Sequence, residues 1–367
     1  MGFSCGIVGL PNVGKSTLFN AITNSNVDAS NYPFCTIEPN QGVVEVPDER
    51  LFKLSELVNP KKTTPTIITL TDIAGLVKDA SKGEGLGNKF LSNIRQTDSI
   101  IQVVRLFLDE NIVHIGDIDP IRDIEIINTE LLLADLESLT KRLDKIKKLA
   151  VNQNDANAKK EVILLERLIS HLDEGKLIYT IDGLSIEQIK QLKSYFLLTA
   201  KKMIIVANVS EENLTDYHEN DLYKKLEEYA NKIKSEVIVL SAKTEHDLST
   251  LSKEEKQEYL ETLNIKKSGL DKLILKGYKL LDLITFFTAG ETEVKAWTIR
   301  NGTLAPQAAG TIHTDFERGF IKAEIVSYED FIKYKSYANL KQEGKIRLEG
   351  KEYEMQDGDV TIFKFNV

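Results

Sequence analysis

The sequence predicts an α/β protein with a mostly parallel sheet, interrupted by a long helical hairpin and followed by a small β-rich domain. Three observations carry that prediction. Apolar, β-branched runs at 3–8, 66–71, 100–106, 203–207 and 237–240 have the length and composition of strands, with 66–71 partly alternating. Residues 122–200 instead carry apolar residues, mostly leucine, at alternating spacings of three and four. From about residue 280 the pattern returns to short strands.

The first run, 3–8, leads into Gly9-Leu-Pro-Asn-Val-Gly14-Lys15-Ser16, and Thr17-Leu-Phe-Asn-Ala-Ile22 after it reads as the opening of a helix. Strand, glycine loop and helix are the context in which G-x-x-x-x-G-K-[ST] holds a polyphosphate, a P-loop. Glycines let backbone N–H groups approach the phosphates closely, and the helix N-terminus adds further donors and a positive dipole end. Lys15 is placed for the β- and γ-phosphates and Ser16 for Mg2+. Asn12, Val13, Gly14 and Thr17 complete the expected cradle.

The 367 residues leave room for two or three domains. Apolar residues make up 42% and charged residues 28%, ordinary for a globular chain. A net charge of −9 argues against wholesale electrostatic capture of nucleic acid or anionic membrane, so such a contact must come from a local patch. The two cysteines, Cys5 in a strand and Cys35 in a loop, read as free thiols of a reducing compartment. No apolar run reaches transmembrane length and the N-terminus lacks a basic, apolar leader. A cytoplasmic, monomeric protein with no membrane contact is expected.

Residues 24–40 form a polar loop with two prolines, and a loop in this position offers Thr36 as a second Mg2+ ligand when a γ-phosphate is present. The run 43–46 reads as a strand. The strand at 66–71 ends in Asp72-Ile-Ala-Gly75, where an aspartate would hold the Mg2+ water shell and a glycine N–H would follow the γ-phosphate. Leu76 stands where Ras-like proteins place a water-orienting glutamine, and leucine has no polar atom for that task. Residues 78–88, with three glycines in five positions, read as a switch loop. His114 follows the strand at 100–106; it reads either as a satisfied surface histidine or as a proton-handling group.

Leu132, Leu136, Leu139, Leu143, Ile146 and Ala150, then Ala158, Val162, Leu165, Ile169 and Leu172, predict two antiparallel coiled-coil helices spanning 122–200. Lys141, Arg142, Lys145, Lys147 and Lys148 near the tip read as a foot for RNA phosphates or as a solvated face. The strand at 203–207 runs into Asn208-Val-Ser-Glu211. Guanine is read at this position by N-K-x-D, whose aspartate accepts from N1–H and the 2-amino group. Glu211 carries an extra methylene that spoils that pair, whereas adenine has neither donor. ATP is therefore expected to bind at least as well as GTP. Ser241 and Ala242, in Ser-Ala-Lys243, are expected to meet the base through the backbone.

Taken together, the P-loop, Asn31-Tyr-Pro-Phe-Cys-Thr36, Asp72-Ile-Ala-Gly-Leu-Val-Lys78, Gly83-Glu-Gly-Leu-Gly-Asn88 and Asn208-x-x-Glu211 resemble the YchF family of Obg-related P-loop NTPases across essentially the whole chain. The resemblance implies a Ras-like nucleotide-binding domain at 1–121 and 201–279, with the hairpin at 122–200 inserted. It implies ATP hydrolysis with GTP also bound, Mg2+, and a ribosomal partner, a large-subunit or 70S-type surface. It further implies a hydrolytic role for His114, with Lys15 as the other catalytic residue, and K+ at Asn12. Two positions depart from the family pattern: Asp79 replaces glycine, and Val209 replaces methionine as an apolar lid over the base. Residues 280–367 resemble the TGS domain, a ubiquitin-like β-grasp module, whose strands are expected at 284–287, 294–299, 321–326 and 360–365, with one helix at 305–316. Its 11 basic against 14 acidic residues favour a shaped protein or ribosomal surface over nonspecific RNA.

Overall fold

The structure is a computed structural model and describes residues 3–24, 40–73, 85–107, 117–152 and 155–366. In the first half the chain forms β1 (Ser4–Val8), α1 (Lys15–Thr23), β2 (Gln41–Glu45), α2 (Glu49–Val58), β3 (Lys62–Thr64), β4 (Ile67–Asp72), α3 (Gly85–Gln96) and β5 (Ser99–Arg105). Two long helices follow, α4 (Pro120–Asn152) and α5 (Ala156–Asp173), and then α6 (Ile186–Lys193), β6 (Met203–Asn208), α7 (Asp221–Lys232), β7 (Glu236–Leu240), α8 (Ala242–Leu248), α9 (Lys253–Thr262) and α10 (Gly269–Leu280). The remainder comprises β8 (Leu283–Ala289), β9 (Glu293–Arg300), α11 (Ala305–Ile312), α12 (Thr314–Arg318), β10 (Phe320–Ser327), α13 (Tyr328–Tyr334), α14 (Tyr337–Gln342), β11 (Arg347–Glu349) and β12 (Asp359–Phe365).

The first sheet has the order β2-β4-β1-β5-β6-β7, with β2 antiparallel and the other strands parallel. Every residue of β5 and β6 is buried, as expected of central strands with helices on both faces. Cys5 in β1 is a buried free thiol.

Helices α4 and α5 pack along each other and, with three residues between them, run antiparallel. Asp155 caps α5 by accepting from the N–H of Asn157 and Ala158. Leu139 and Leu143 meet Leu164, Leu165, Leu168 and Leu172 in the seam, with Leu136 and Ile146 beside it. The hairpin is shorter than the span 122–200 because residues 174–200 fold back as turns and α6 against its base. There Asp135 of α4 accepts from Leu198 N, Thr199 N and Thr199 Oγ1 at 3.0, 2.8 and 2.7 Å.

The second sheet has the order β11-β10-β12-β8-β9-β3 and is mixed: β8–β9, β10–β12 and β10–β11 are antiparallel, whereas β12–β8 and β3–β9 are parallel. Phe286 and Phe287 are fully buried on opposite faces. Phe286 joins Ala305, Ala308 and Phe363 under α11; Phe287 joins Leu51, Leu54, Phe331 and Leu340 under α2, α13 and α14. Residues 49–64 thus belong physically to this second body, although they lie within the segment 1–121. The reason is that Leu51 and Leu54 present an apolar stripe that the second sheet covers.

Two local expectations change. Residues 85–88, read as loop, form the first turn of α3, whose Phe90, Leu91 and Ile94 bury an amphipathic face. The single helix over 305–316 is two, because His313 leaves the helical region (φ −160°) and caps α12 by accepting from Asp315 N at 3.2 Å.

Candidate nucleotide-binding site

The phosphate loop leaves the C-terminal end of β1 and enters α1. Gly14 caps α1 with φ 93° and no side-chain cap, so the helix entrance presents backbone donors and a positive dipole end. A Cβ at Gly14 would stand 2.1 Å from Asn208 Nδ2, and one at Gly9 would stand 2.8 Å from Val103 O, so neither position has room for a side chain. Asn12 also takes a left-handed backbone (φ 65°). Val13 is buried below the loop, whereas Ser16 and Thr17 are exposed at the mouth.

Asn208, 3% exposed at the end of β6, is the keystone. Its Nδ2 donates to Val13 O at 2.9 Å and its Oδ1 accepts from Ala242 N at 2.9 Å. One amide thereby ties the phosphate loop to the start of α8. Lys15 Nζ donates to Asp72 Oδ1 at 2.5 Å, with the two side chains 10% and 18% exposed. The sequence-expected phosphate cation and metal aspartate are therefore together at the ends of α1 and β4. Among the described residues no cluster of three or more His, Cys, Asp or Glu forms a protein cage for a metal. The oxygen donors expected from the sequence, Ser16 at the start of α1 and Asp72 at the end of β4, are few, and so sparse a set would fit Mg2+ completed by water and substrate phosphates.

The residues expected to meet the base are placed less uniformly. Glu211 opens a 3-10 turn (Glu211–Asn213) after β6, and its Oε2 accepts from Thr244 Oγ1 at 3.0 Å and from Tyr259 OH at 2.8 Å. That bond to Glu211 is the chief cause holding the Tyr259 phenol above its ordinary pKa. The reading of Val209 as a lid is corrected. Its side chain is 3% exposed and packs with Leu106, Ile124 and Tyr223, because the alternation of β6 carries it into the core. Ser241 and Ala242 are buried too. Ser241 Oγ caps α8 at Thr244 N, and the Ala242 N–H is taken by Asn208, so that N–H is not offered to a base. Thr36, Gly75, Leu76 and His114 lie outside the described residues. No local sequence signal points to the contact of Thr244 and Tyr259 with Glu211; the capping box Ser252–Glu255 announces α9 but not the face it turns towards Glu211.

A glycine loop between a buried strand and a helix, with an aspartate at the end of the neighbouring strand β4, defines a P-loop nucleotide-binding protein of the GTPase fold. Residues 4–165 match a family model described as a 50S ribosome-binding GTPase, and residues 283–366 match the YchF-GTPase_C model, described as a protein of unknown function. The chain belongs to the YchF family. It is 56% identical to the ribosome-binding ATPase YchF of Bacillus subtilis and 50% identical to that of Escherichia coli O157:H7, each over 100% of both chains. A solved YchF GTPase from Schizosaccharomyces pombe is 42% identical with a TM-score of 0.90, covering 99% of this chain and 98% of that one.

Proposed function

We propose that this protein is a Mg2+-dependent ATPase that binds the ribosome as a nucleotide-controlled switch. The observation that carries the reading is full-length kinship to proteins named ribosome-binding ATPase, on a chain whose phosphate loop and Asp72 converge. Nucleotide binding exchanges the Lys15–Asp72 pair: Lys15 turns to the β- and γ-phosphates, and Asp72 is released to hold the metal's water shell with Ser16 and Thr36 as ligands. Mg2+ held there would supply positive charge to the phosphate oxygens. The Gly75 N–H follows the γ-phosphate. His114 manages the proton of the attacking water, since Leu76 offers no polar atom. Asn12 would be the residue to hold a K+ ion, which would supply further positive charge beside Lys15.

Residues 1–48, 65–121 and 201–279 serve as the nucleotide body, α4 and α5 as the hairpin with 174–200 packed at its base, and 280–367 as a TGS domain completed by α2 and β3. Lys145, Lys148 and Lys160 near the hairpin tip have no acidic partner among the described residues, which supports an RNA contact there. The S. pombe relative carries the name GTPase. Glu211 in place of aspartate favours ATP, and comparing ATP with GTP affinity, with Glu211→Asp as control, decides the point.

Single-turnover hydrolysis with and without 70S ribosomes tests the whole reading. Slow intrinsic ATP turnover, stimulated by ribosomes and reduced at least ~100-fold in Lys15→Ala, is expected. Negligible turnover in both conditions would overturn it.

A further inference from the structure

The Glu211 carboxylate is engaged on one side only. Thr244 Oγ1 and Tyr259 OH both donate to Oε2, at 3.0 and 2.8 Å, and among the described residues Oε1 takes no hydrogen bond. A carboxylate oxygen offers about two lone-pair directions, so two hydroxyls fill Oε2 and the acceptor capacity left for a ligand is that of Oε1.

The clamp is built by three separate elements, each fixed locally. Glu211 begins a 3-10 turn closed by Leu214 N donating to Glu211 O at 3.1 Å. Thr244 is buried in the first turn of α8, where its N–H is held by the Ser241 cap. Tyr259 is half-buried on α9, whose start is set by the reciprocal Ser252–Glu255 capping box and whose rotation is set by buried Leu260. Neither hydroxyl depends on a flexible chain end.

Guanine offers two neighbouring donors, N1–H and the 2-amino group, and a carboxylate reads them with both oxygens. Adenine offers one donor, its 6-amino group, which a single free oxygen satisfies. We infer that Tyr259 and Thr244 are positioning residues for purine specificity: they reserve Oε2 for protein hydroxyls and leave Glu211 a single acceptor. This rests on the reading of Glu211 as the residue that meets the base. It adds a cause of guanine rejection separate from the extra methylene: with Oε2 filled, both guanine donors would have to share Oε1 as a bifurcated pair, which is poorer than one donor on each oxygen. A site whose polar complement is incomplete discriminates strongly against the ligand that needs it.

The test is a comparison of ADP and GDP dissociation constants for the full chain, with diphosphates chosen so that hydrolysis does not intervene. Tyr259→Phe removes one hydroxyl from the surface of α9 and should raise GDP affinity relative to ADP by about three- to tenfold, the worth of one hydrogen bond. Thr244→Val should move the ratio the same way, and Thr244→Ser, which keeps the hydroxyl, should restore the parent value. A merely structural role would weaken both nucleotides together, so an unchanged ratio in Tyr259→Phe overturns the inference. Glu211→Ala separates the two levels. If it shifts the ratio while Tyr259→Phe does not, only the clamp fails. If Glu211→Ala leaves the ratio unmoved, base reading by Glu211 fails and the clamp falls with it.

Discussion

At the residue scale, Asn208 does more than occupy a motif position. Its amide satisfies a phosphate-loop carbonyl and an α8 N–H in a place closed to solvent, while the missing side chain of Gly14 makes room for its Nδ2. Asn208→Ala leaves both backbone groups without that partner, at about 1–3 kcal/mol each for a buried group. Urea unfolding should show a loss of roughly 2–4 kcal/mol together with weakened ADP binding. Full stability in that variant would mean the loop and α8 hold each other by other means. Val209, next in sequence, shows why a motif letter alone does not assign a role. Its neighbour's amide faces the loop, so strand alternation turns Val209 into the core.

At the scale of elements, the hairpin is fastened at its base by Asp135. This carboxylate, closed to solvent within α4, accepts three hydrogen bonds from Leu198 and Thr199. Burial nevertheless pushes it above the ordinary value of 3.8, against the lowering effect of those bonds and of Arg95. Folding therefore favours the protonated form. The contribution of this titration to stability is full below the unfolded pKa and is lost as pH rises through the folded one. Asp135→Asn abolishes the titration. Urea unfolding from about pH 4 to 7 should show the parent losing ground to the variant as pH rises, whatever their offset at any one pH. A pH-independent difference would show that Asp135 titrates alike in the folded and unfolded chains.

At the scale of the whole molecule, the two sheets share a continuous stretch of chain. After β2 the chain leaves the first sheet, builds α2 and β3 into the second, and returns as β4, which ends on Asp72. Arg50 of α2 reinforces the junction by donating to Asp357 Oδ2 at 2.7 Å and to Asp48 Oδ1 at 3.0 Å, with its guanidinium over the Phe287 ring. Arg300 reaches Asp98 of the first body at 3.2 Å. Residues 280–367 alone would therefore lack the cover of Leu51 and Leu54 over Phe287 and Val294, and would leave the β9 edge open. Expressed as a fragment, they should lack a cooperative thermal transition. In the full chain, Leu54→Ala should cost about 2–5 kcal/mol. A cooperative, well-dispersed fragment would refute this.

Parts whose causes are local can be read along the chain. The glycine loop, the β-branched runs of the first sheet and the 3–4 leucine spacing each encode their structure within a few residues, so strand, P-loop, helix and hairpin were legible in order. Lys15, Asp72 and Asn208 were legible as motif positions beside strand ends, and the structure pairs Lys15 with Asp72 and ties Asn208 to the phosphate loop. Which faces meet is set by packing. Thr64 bonds Glu293 across 229 residues, and Tyr259 reaches Glu211 across 48. Nothing in the local pattern of either partner specifies the other. Such pairings arise because an apolar stripe or a hydroxyl must find its complement once the chain is packed, and that choice is made by three-dimensional proximity rather than by spacing.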